Sequence, residues 1–88
     1  MKDYTVYSTE TGRVFYHFQD ANHRAAVKRI RRFLRAKSEV PYNSFSVVCE
    51  NAAGGCSGLC RYDRATKTLS VGYVASNGRG HQETITIE

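Results

Sequence analysis

One stretch of the chain carries an unbroken helical pattern together with most of the positive charge. It runs from Asp20, which is placed as an N-cap, to Lys37, and no Gly or Pro follows within it. At about 100° per residue, its apolar side chains fall on one side, namely Ala26, Val27, Ile30, Phe33 and Leu34. The stretch therefore predicts one amphipathic helix that packs on another layer of structure.

The cationic residues of this helix form what we call the basic stripe. Four of them, Arg24, Lys28, Arg31 and Arg35, fall within a narrow angle almost opposite the apolar side. The fifth, Arg32, lies beside these four. Ala21 to Lys37 contains no acidic residue, although a helix that needs only solubility normally includes Glu. The stripe is either a solvated surface of good helix formers or a face that binds something anionic, and we favour the second interpretation.

The charge of the whole chain supports this interpretation. The 88 residues carry a net charge of +5, and their length is typical of one small domain, residues 1–88. Residues 1–44 hold nine Lys or Arg against four Asp or Glu, whereas residues 45–88 hold four of each. The excess belongs to the half with the helix, which favours a localised binding face.

The sequence also suggests a location. No apolar run of 18 residues is present, and the first residues lack the apolar core of a signal peptide, so we expect no membrane partner. Three cysteines, an odd number without an export signal, are expected to be reduced thiols. We expect a cytoplasmic protein, the host cell of a phage being one such setting.

Short segments with alternating side chains surround the helix and are typical of β-strands. They are Tyr4 to Ser8, Arg13 to Phe18, Phe45 to Glu50, Leu59 to Tyr62, Lys67 to Val74 and Glu83 to Ile87. The expected fold is a single-domain α+β fold of order ββαβββ, with the helix packed on a mainly antiparallel sheet of five strands. One helix cannot cover both faces of such a sheet, so the far face is either solvated or used.

Tyrosine is the most frequent aromatic residue, with six against four Phe and no Trp. On an open sheet face, tyrosines suit a contact surface because they offer area and a polar tip. At the edge of the core they are ordinary strand residues, and the sequence leaves both interpretations open.

A metal site is a weaker prediction. Cys49, Cys56, Cys60 and His81 include the side chains that bind zinc. However, three residues separate Cys56 from Cys60, whereas structural zinc knuckles favour two, and Cys49 alternates with apolar neighbours as a buried residue would. A small zinc-stabilised structural domain is therefore our second alternative, and we expect no cofactor.

Catalytic patterns are weak. The glycine-rich stretch Gly54 to Gly58 is followed by a predicted strand, so it lacks the helix that a phosphate cradle or a nucleophile elbow requires. We interpret Asn51 to Gly58 as a contact loop or a flexible loop. The acids are scattered singly, and His17, His23 and His81 look structural or solvated, so we expect no enzyme and no small-molecule substrate.

Three cations outside the helix are further binding candidates. Arg79 lies in a glycine turn, where it could reach a phosphate or a carboxylate, and Arg61 and Arg64 lie in the hairpin after the loop. Ordinary solubilisation explains them equally well. Besides the basic stripe, we predict that Arg79 contacts a macromolecule.

In its overall layout, the chain resembles the small inhibitors encoded by phages and mobile elements, of which the anti-CRISPR proteins are the best-known group. The likeness covers the whole chain: fewer than 100 residues, one helix on an antiparallel sheet and no catalytic set. It implies a protein that binds a CRISPR effector or another defence complex without doing chemistry, and it assigns no residue a role.

Two functions follow. The first is a non-enzymatic inhibitor that uses the basic helix face to bind a protein or nucleoprotein complex with an anionic surface. The alternative is a free-standing, sequence-nonspecific nucleic-acid-binding domain, since no helix-turn-helix, zinc-finger or RNA-recognition signature is present. We place the inhibitor slightly ahead.

Overall fold

The computed structural model describes residues 1–36, 44–50, 56–74 and 78–87. One helix packs on a six-stranded antiparallel sheet, which confirms the α+β class. In chain order the elements are β1 (Lys2–Ser8), β2 (Val14–Asp20), α1 (His23–Ala36), β3 (Ser44–Glu50), β4 (Cys56–Asp63), β5 (Thr68–Val74) and β6 (Gly80–Thr86).

The sheet has the strand order β2-β1-β3-β4-β5-β6. The element order is therefore ββαββββ. A strand is present at each of the six segments that alternation predicted, so the expected order ββαβββ with five strands counts one strand too few. The predicted closing strand largely coincides with β6, which pairs along its whole length with β5, from Val74 opposite Gly80 to Thr68 opposite Thr86.

Alternation along the strands places one side of each in the core. In β1, Tyr4, Val6 and Ser8 are buried, while the residues between them are partly exposed. β3 behaves in the same way with Phe45, Val47 and Cys49, which lie opposite Ser8, Val6 and Tyr4 in the ladder. Paired residues share a face of the sheet, so these rows form one continuous apolar surface under α1.

The helix begins later than the sequence suggests. Asp20 is the last residue of β2, opposite Lys2, and is therefore not the N-cap. The cap is Asn22, whose side-chain oxygen accepts a hydrogen bond from the backbone N–H of Ala25 at 2.9 Å. An Asn at this position satisfies one of the unpaired donors of the first turn, and it fixes where α1 leaves the sheet.

The apolar side of α1 is the predicted one. Ala26, Val27, Ile30 and Leu34 are buried, and Phe33 is half-buried with its ring stacked on Tyr16 at 5.7 Å. A fully buried Ile or Leu side chain stabilises the fold by about 1.5–3 kcal/mol. The helix is held mainly by this packing, because an isolated helix of 14 residues is marginal in water.

The start of β4 differs from the expected one. β4 starts at Cys56, so the end of the predicted loop, Ser57 and Gly58, lies in the sheet opposite Cys49 and Val48. The rest of that loop, residues 51–55, is outside the described residues. The register shifts beyond Val47, and Leu59 and Cys60 are both buried, as at a β-bulge.

Most of the described tyrosines belong to the core side of the sheet. Tyr4 and Tyr62 are buried, and Tyr16 and Tyr73 pack against the core, whereas Tyr7 alternates to the other face. Tyr42 lies outside the described residues. The face away from α1 has a row of mostly small polar residues across four strands, Ser46, Arg61, Ser70 and Thr84. An aromatic contact surface does not form there among the described tyrosines.

Within the described residues, no helix is long and apolar enough to cross a membrane.

Candidate binding face of the helix

The basic stripe is accessible. Arg24, Lys28, Arg32 and Arg35 are exposed, and Arg31 is half-buried. Among the described residues, no acidic side chain forms an ion pair with any of these five. Within the described part of the chain, the stripe therefore carries positive charge that no ion pair compensates.

Among the described residues, Arg29 is the one cation of α1 that forms an ion pair. Its Nε donates to Asp20 Oδ2 at 3.0 Å, and its guanidinium lies 5.3 Å from the centre of the Phe18 ring. The hydrogen bond from Arg29, together with that from the Ala21 N–H, lowers the pKa of Asp20. Arg29 and Asp20 thus tie the helix to the end of β2, and Arg29 is separate from the basic stripe.

The stripe does not point straight away from the sheet. Arg24, Lys28 and Arg31, with Val27, form one wall of a groove whose other side is made by β5 and β6. The groove has a volume of about 380 Å³, and Val71, Tyr73, His81, Glu83 and Ile85 line the strand side. The sheet extends beyond the helix here, so the cations stand over a partly apolar depression.

The residues of the basic stripe border two different depressions, one on each side of α1. Arg32 lines a second depression on the opposite side of α1, together with Phe33, Arg29 and Asp20, while Lys28 borders both depressions. The two sides differ chemically, because the second depression contains the Arg29–Asp20 ion pair. The groove over β5 and β6 also contains an acid, Glu83, but among the described residues Glu83 pairs with His81 and not with a cation of the stripe.

Arg31 has an unusual environment. Its Nε is buried and has no hydrogen-bond partner among the described residues. Leaving a buried donor of a charged group unpaired costs about 1–3 kcal/mol or more, so such groups are rare. A carboxylate or phosphate oxygen is the kind of acceptor that would satisfy such a donor.

The other predicted cations are not part of this site. Arg79 directly precedes β6 and is not among the residues that line the groove. Arg61 lies on the sheet face away from α1, opposite Ser46 and Ser70, and Arg64 lies in the turn between β4 and β5. The structure therefore does not bring the predicted contact Arg79 into the groove.

A cluster of tyrosines and histidines borders the groove, and sequence reasoning missed it. The hydroxyl of Tyr4 and Nδ1 of His23 are hydrogen-bonded at 2.9 Å. The His23 ring is 5.3 Å from that of Tyr73, which is 5.1 Å from that of His81. His81 Nε2 in turn lies 3.2 Å from Glu83 Oε2. The only signal in the sequence was the place of His23 on the core-facing side of α1.

Burial shifts the pKa values of the two side chains at the inner end of this cluster. It lowers the pKa of His23, with a smaller contribution from the nearby charge of Lys2, and raises the pKa of Tyr4 to about 12. Both side chains are therefore neutral at neutral pH. Their hydrogen bond supports the structural interpretation of His23.

The structure does not bring the zinc candidates together. Among the described residues, no group of three or more His, Cys, Asp or Glu could hold a metal ion. Cys49 and Cys60 are buried free thiols, and burial raises the pKa of Cys60 to about 12. A thiol with that pKa is a poor ligand, because zinc binds the thiolate. The side chain of Cys56 lies outside the described residues, and His81 contacts Glu83 instead.

Compared with protein-family models, curated proteins and solved structures, the chain matches none. The likeness to anti-CRISPR proteins in overall layout therefore stays a prediction.

Proposed function

We propose that this chain is a small non-enzymatic binding protein whose basic helix face engages an anionic surface of a nucleoprotein or defence complex, as an anti-CRISPR inhibitor does. The observation that carries the proposal is the uncompensated charge of the basic stripe. Four of its five residues are exposed, and the described residues provide none of them with an acidic partner. Keeping like charges close together on one side of a helix is mildly destabilising, which favours a binding role over a purely structural one.

A purified panel of CRISPR effector ribonucleoproteins tests this function. We expect the wild-type protein to bind at least one complex and to reduce its binding to target DNA. A variant with Arg24, Lys28 and Arg35 changed to Gln should lose both effects, because these exposed cations supply the contact.

The matched control changes Arg13, Arg61 and Arg64 to Gln, which removes the same charge from exposed positions outside the helix. It should behave like wild type. If the wild-type protein neither binds any complex nor alters its binding to DNA, the inhibitor function is wrong.

A second function, free-standing nucleic-acid binding, is favoured by the length of the stripe. Arg24 and Arg35 are 11 positions apart, so they span about 16 Å along the helix axis. Over that length one strand of duplex DNA presents about five phosphates. Four exposed cations in phosphate contact would give a slope of about −3.6 in a plot of log Kobs against log salt concentration.

Fluorescence anisotropy with mixed-sequence duplex and single-stranded DNA measures this slope. The nucleic-acid function would come first if the wild-type protein binds DNA tightly in the absence of any effector complex, with a slope near that value. The variant with three Gln substitutions should then reduce the slope to about −1. A flat salt response would exclude phosphate contact by the stripe.

A further inference from the structure

We propose that the groove between α1 and β6 binds an acidic segment of a partner protein in extended conformation, which adds as a seventh strand to the edge of β6. The proposal deepens the proposed function and rests on it, because it specifies which part of an anionic partner the basic stripe meets.

The first argument is the free edge of β6. Among the described strands, β6 ends the sheet and pairs only with β5. The backbone N–H of Ile87 donates to the Lys67 carbonyl at 2.8 Å, toward β5. Because N–H directions alternate along a regular strand, the N–H groups of Gln82, Thr84 and Thr86 point to the open edge. They form a row of donors and acceptors that an extended peptide can pair with.

The second argument is the chemistry beside that edge. Side chains of an added strand that point to the helix side would lie over the groove, next to Val71 and Ile85, which are buried at its floor. Across the groove stand Arg24 and Lys28. The alternate residues of the segment are therefore expected to be acidic, with an apolar residue between them.

The third argument is the donor that the fold leaves unused. The buried Nε of Arg31 has no partner among the described residues, and Arg31 lines the groove. A carboxylate at the helix side of an added strand would lie beside the Arg31 guanidinium, which lines the same groove. Among the described residues that line the groove, the one acid is Glu83, whose Oε2 lies 3.2 Å from Nε2 of His81 on the opposite wall.

Charge and backbone chemistry favour this occupant over two others. A nucleic-acid strand offers no N–H groups in register with the outward carbonyls of β6, and its phosphates would pass Glu83. A second copy of the chain joined through β6 would form a continuous sheet with both helices on the same face. The two sets of Arg24 and Lys28 would then face each other with like charge.

The opposite edge of the sheet does not offer the same site. At β2, the helix side is occupied by the stacked rings of Phe18, Tyr16 and Phe33, and Arg29 is paired with Asp20. Arg29 is already paired there, and the stacked rings fill the space beside the strand, although Arg32 has no acidic partner among the described residues. Strand addition with acidic side chains is therefore favoured at β6.

The test uses a fluorescent 11-residue peptide, TETLTETLTET, in which every second residue is Glu or Leu. We expect saturable binding by anisotropy, weakened by salt. A variant with Arg24 and Lys28 changed to Gln should bind about tenfold less tightly, since each exposed ion pair contributes up to about fivefold. The matched control, Arg13→Gln with Lys67→Gln, should bind like wild type.

Two further measurements test strand addition itself. Thr84→Pro removes an outward N–H but leaves the bonds to β5, and proline is tolerated on edge strands, so this variant should fold and lose the peptide. The same peptide with N-methyl groups at alternate residues should not bind wild type. This second probe keeps the test valid if Thr84→Pro fails to fold.

Three outcomes would overturn the proposal. The first is equal binding of the N-methylated peptide or of a scrambled peptide of the same composition. The second is a wild-type dimer in sedimentation that Thr84→Pro dissociates, which would assign the edge to a second copy. The third is no peptide binding by a wild-type protein that still binds an effector complex or DNA through the stripe. In that third case the proposed function stands and only this inference fails, whereas loss of all stripe-dependent binding contradicts both.

Discussion

At the scale of single residues, the placement of His23 makes stability depend on pH. Its ring is half-buried and hydrogen-bonded to Tyr4, and the groups that face it are Tyr4 and Lys2 from β1 and Tyr73 from β5. Burial lowers its pKa below the ordinary value of 6.5. The folded protein therefore takes up this proton at a lower pH than the unfolded chain does.

The first prediction follows from this lowered pKa of His23. Well above pH 6.5 His23 is neutral in both states, and its stability contribution is constant. As the pH falls below 6.5, the unfolded chain binds the proton first, so the free energy of unfolding should decrease until the folded pKa is passed. Urea unfolding at pH 7.5, 6.0 and 5.0 measures this loss. The variant His23→Gln should show a smaller loss of stability at low pH, while the exposed control His17→Gln should match wild type. If His23→Gln has the same pH profile as wild type, other groups cause the loss.

The second prediction concerns Cys60. Burial raises its pKa to about 12, and only the thiolate reacts readily with alkylating reagents. In the folded protein at pH 8 we expect no alkylation of Cys60 by iodoacetamide, whereas in urea it should react fully. Peptide mass spectrometry of samples labelled with and without urea checks this. Rapid labelling of Cys60 in the folded protein would contradict its burial between Val47 and Val71.

At the scale of elements, the entry to α1 is set by Asn22. Replacing Asn22 with Ala removes the acceptor for the Ala25 N–H and should lower the free energy of unfolding by about 1 kcal/mol. Asp20→Ala serves as the comparison, because it removes an exposed ion pair to Arg29 but not the cap. Its loss should be smaller and should shrink with added salt, whereas the loss in Asn22→Ala should not. A larger loss in Asp20→Ala would return the capping role to Asp20.

The same element shows what periodicity can and cannot predict. Angles around the helix axis identified the buried side correctly, since Ala26, Ile30 and Leu34 are buried. They do not say where the sheet ends beneath the helix, so the groove formed by Arg24, Arg31 and β6 had no signal in the sequence. The cap was misplaced for a related reason: Asp20 and Asn22 are both good caps, and only the pairing of Asp20 with Lys2 in the sheet decides between them.

At the scale of the whole molecule, alternation predicted the strands because each buries one face. Tyr4, Val6, Phe45 and Val47 follow this rule. It failed at the start of β4, which has little apolar content, so the first residues of that strand, Cys56 to Gly58, were assigned to a loop. The cluster of Tyr4, His23, Tyr73 and His81 was also invisible, because it joins residues from four elements whose proximity only the strand order creates.

The strand order also gives the molecule two unlike faces. α1 covers one face and carries the basic stripe, while the other has the row of Ser46, Arg61, Ser70 and Thr84. If binding belongs to the helix side, as we propose, the row is dispensable for it. We expect a variant with Arg61→Gln, Ser70→Ala and Thr84→Ala to keep its affinity for the effector complex, or for DNA, within about twofold of wild type. Surface changes of this kind also shift the free energy of unfolding by about 0.5 kcal/mol or less each.

Anisotropy and urea unfolding on the same sample separate the two effects, and Arg24→Gln with Lys28→Gln on the helix side provides the contrasting variant. That variant should keep its stability or gain slightly, because it relieves repulsion between cations four residues apart, yet it should lose affinity. Affinity and stability would then change independently, as they do when charges are kept for a partner and not for the fold. Loss of affinity in the open-face variant with unchanged stability would instead place the contact surface on the sheet, and the basic stripe would be a solvated surface.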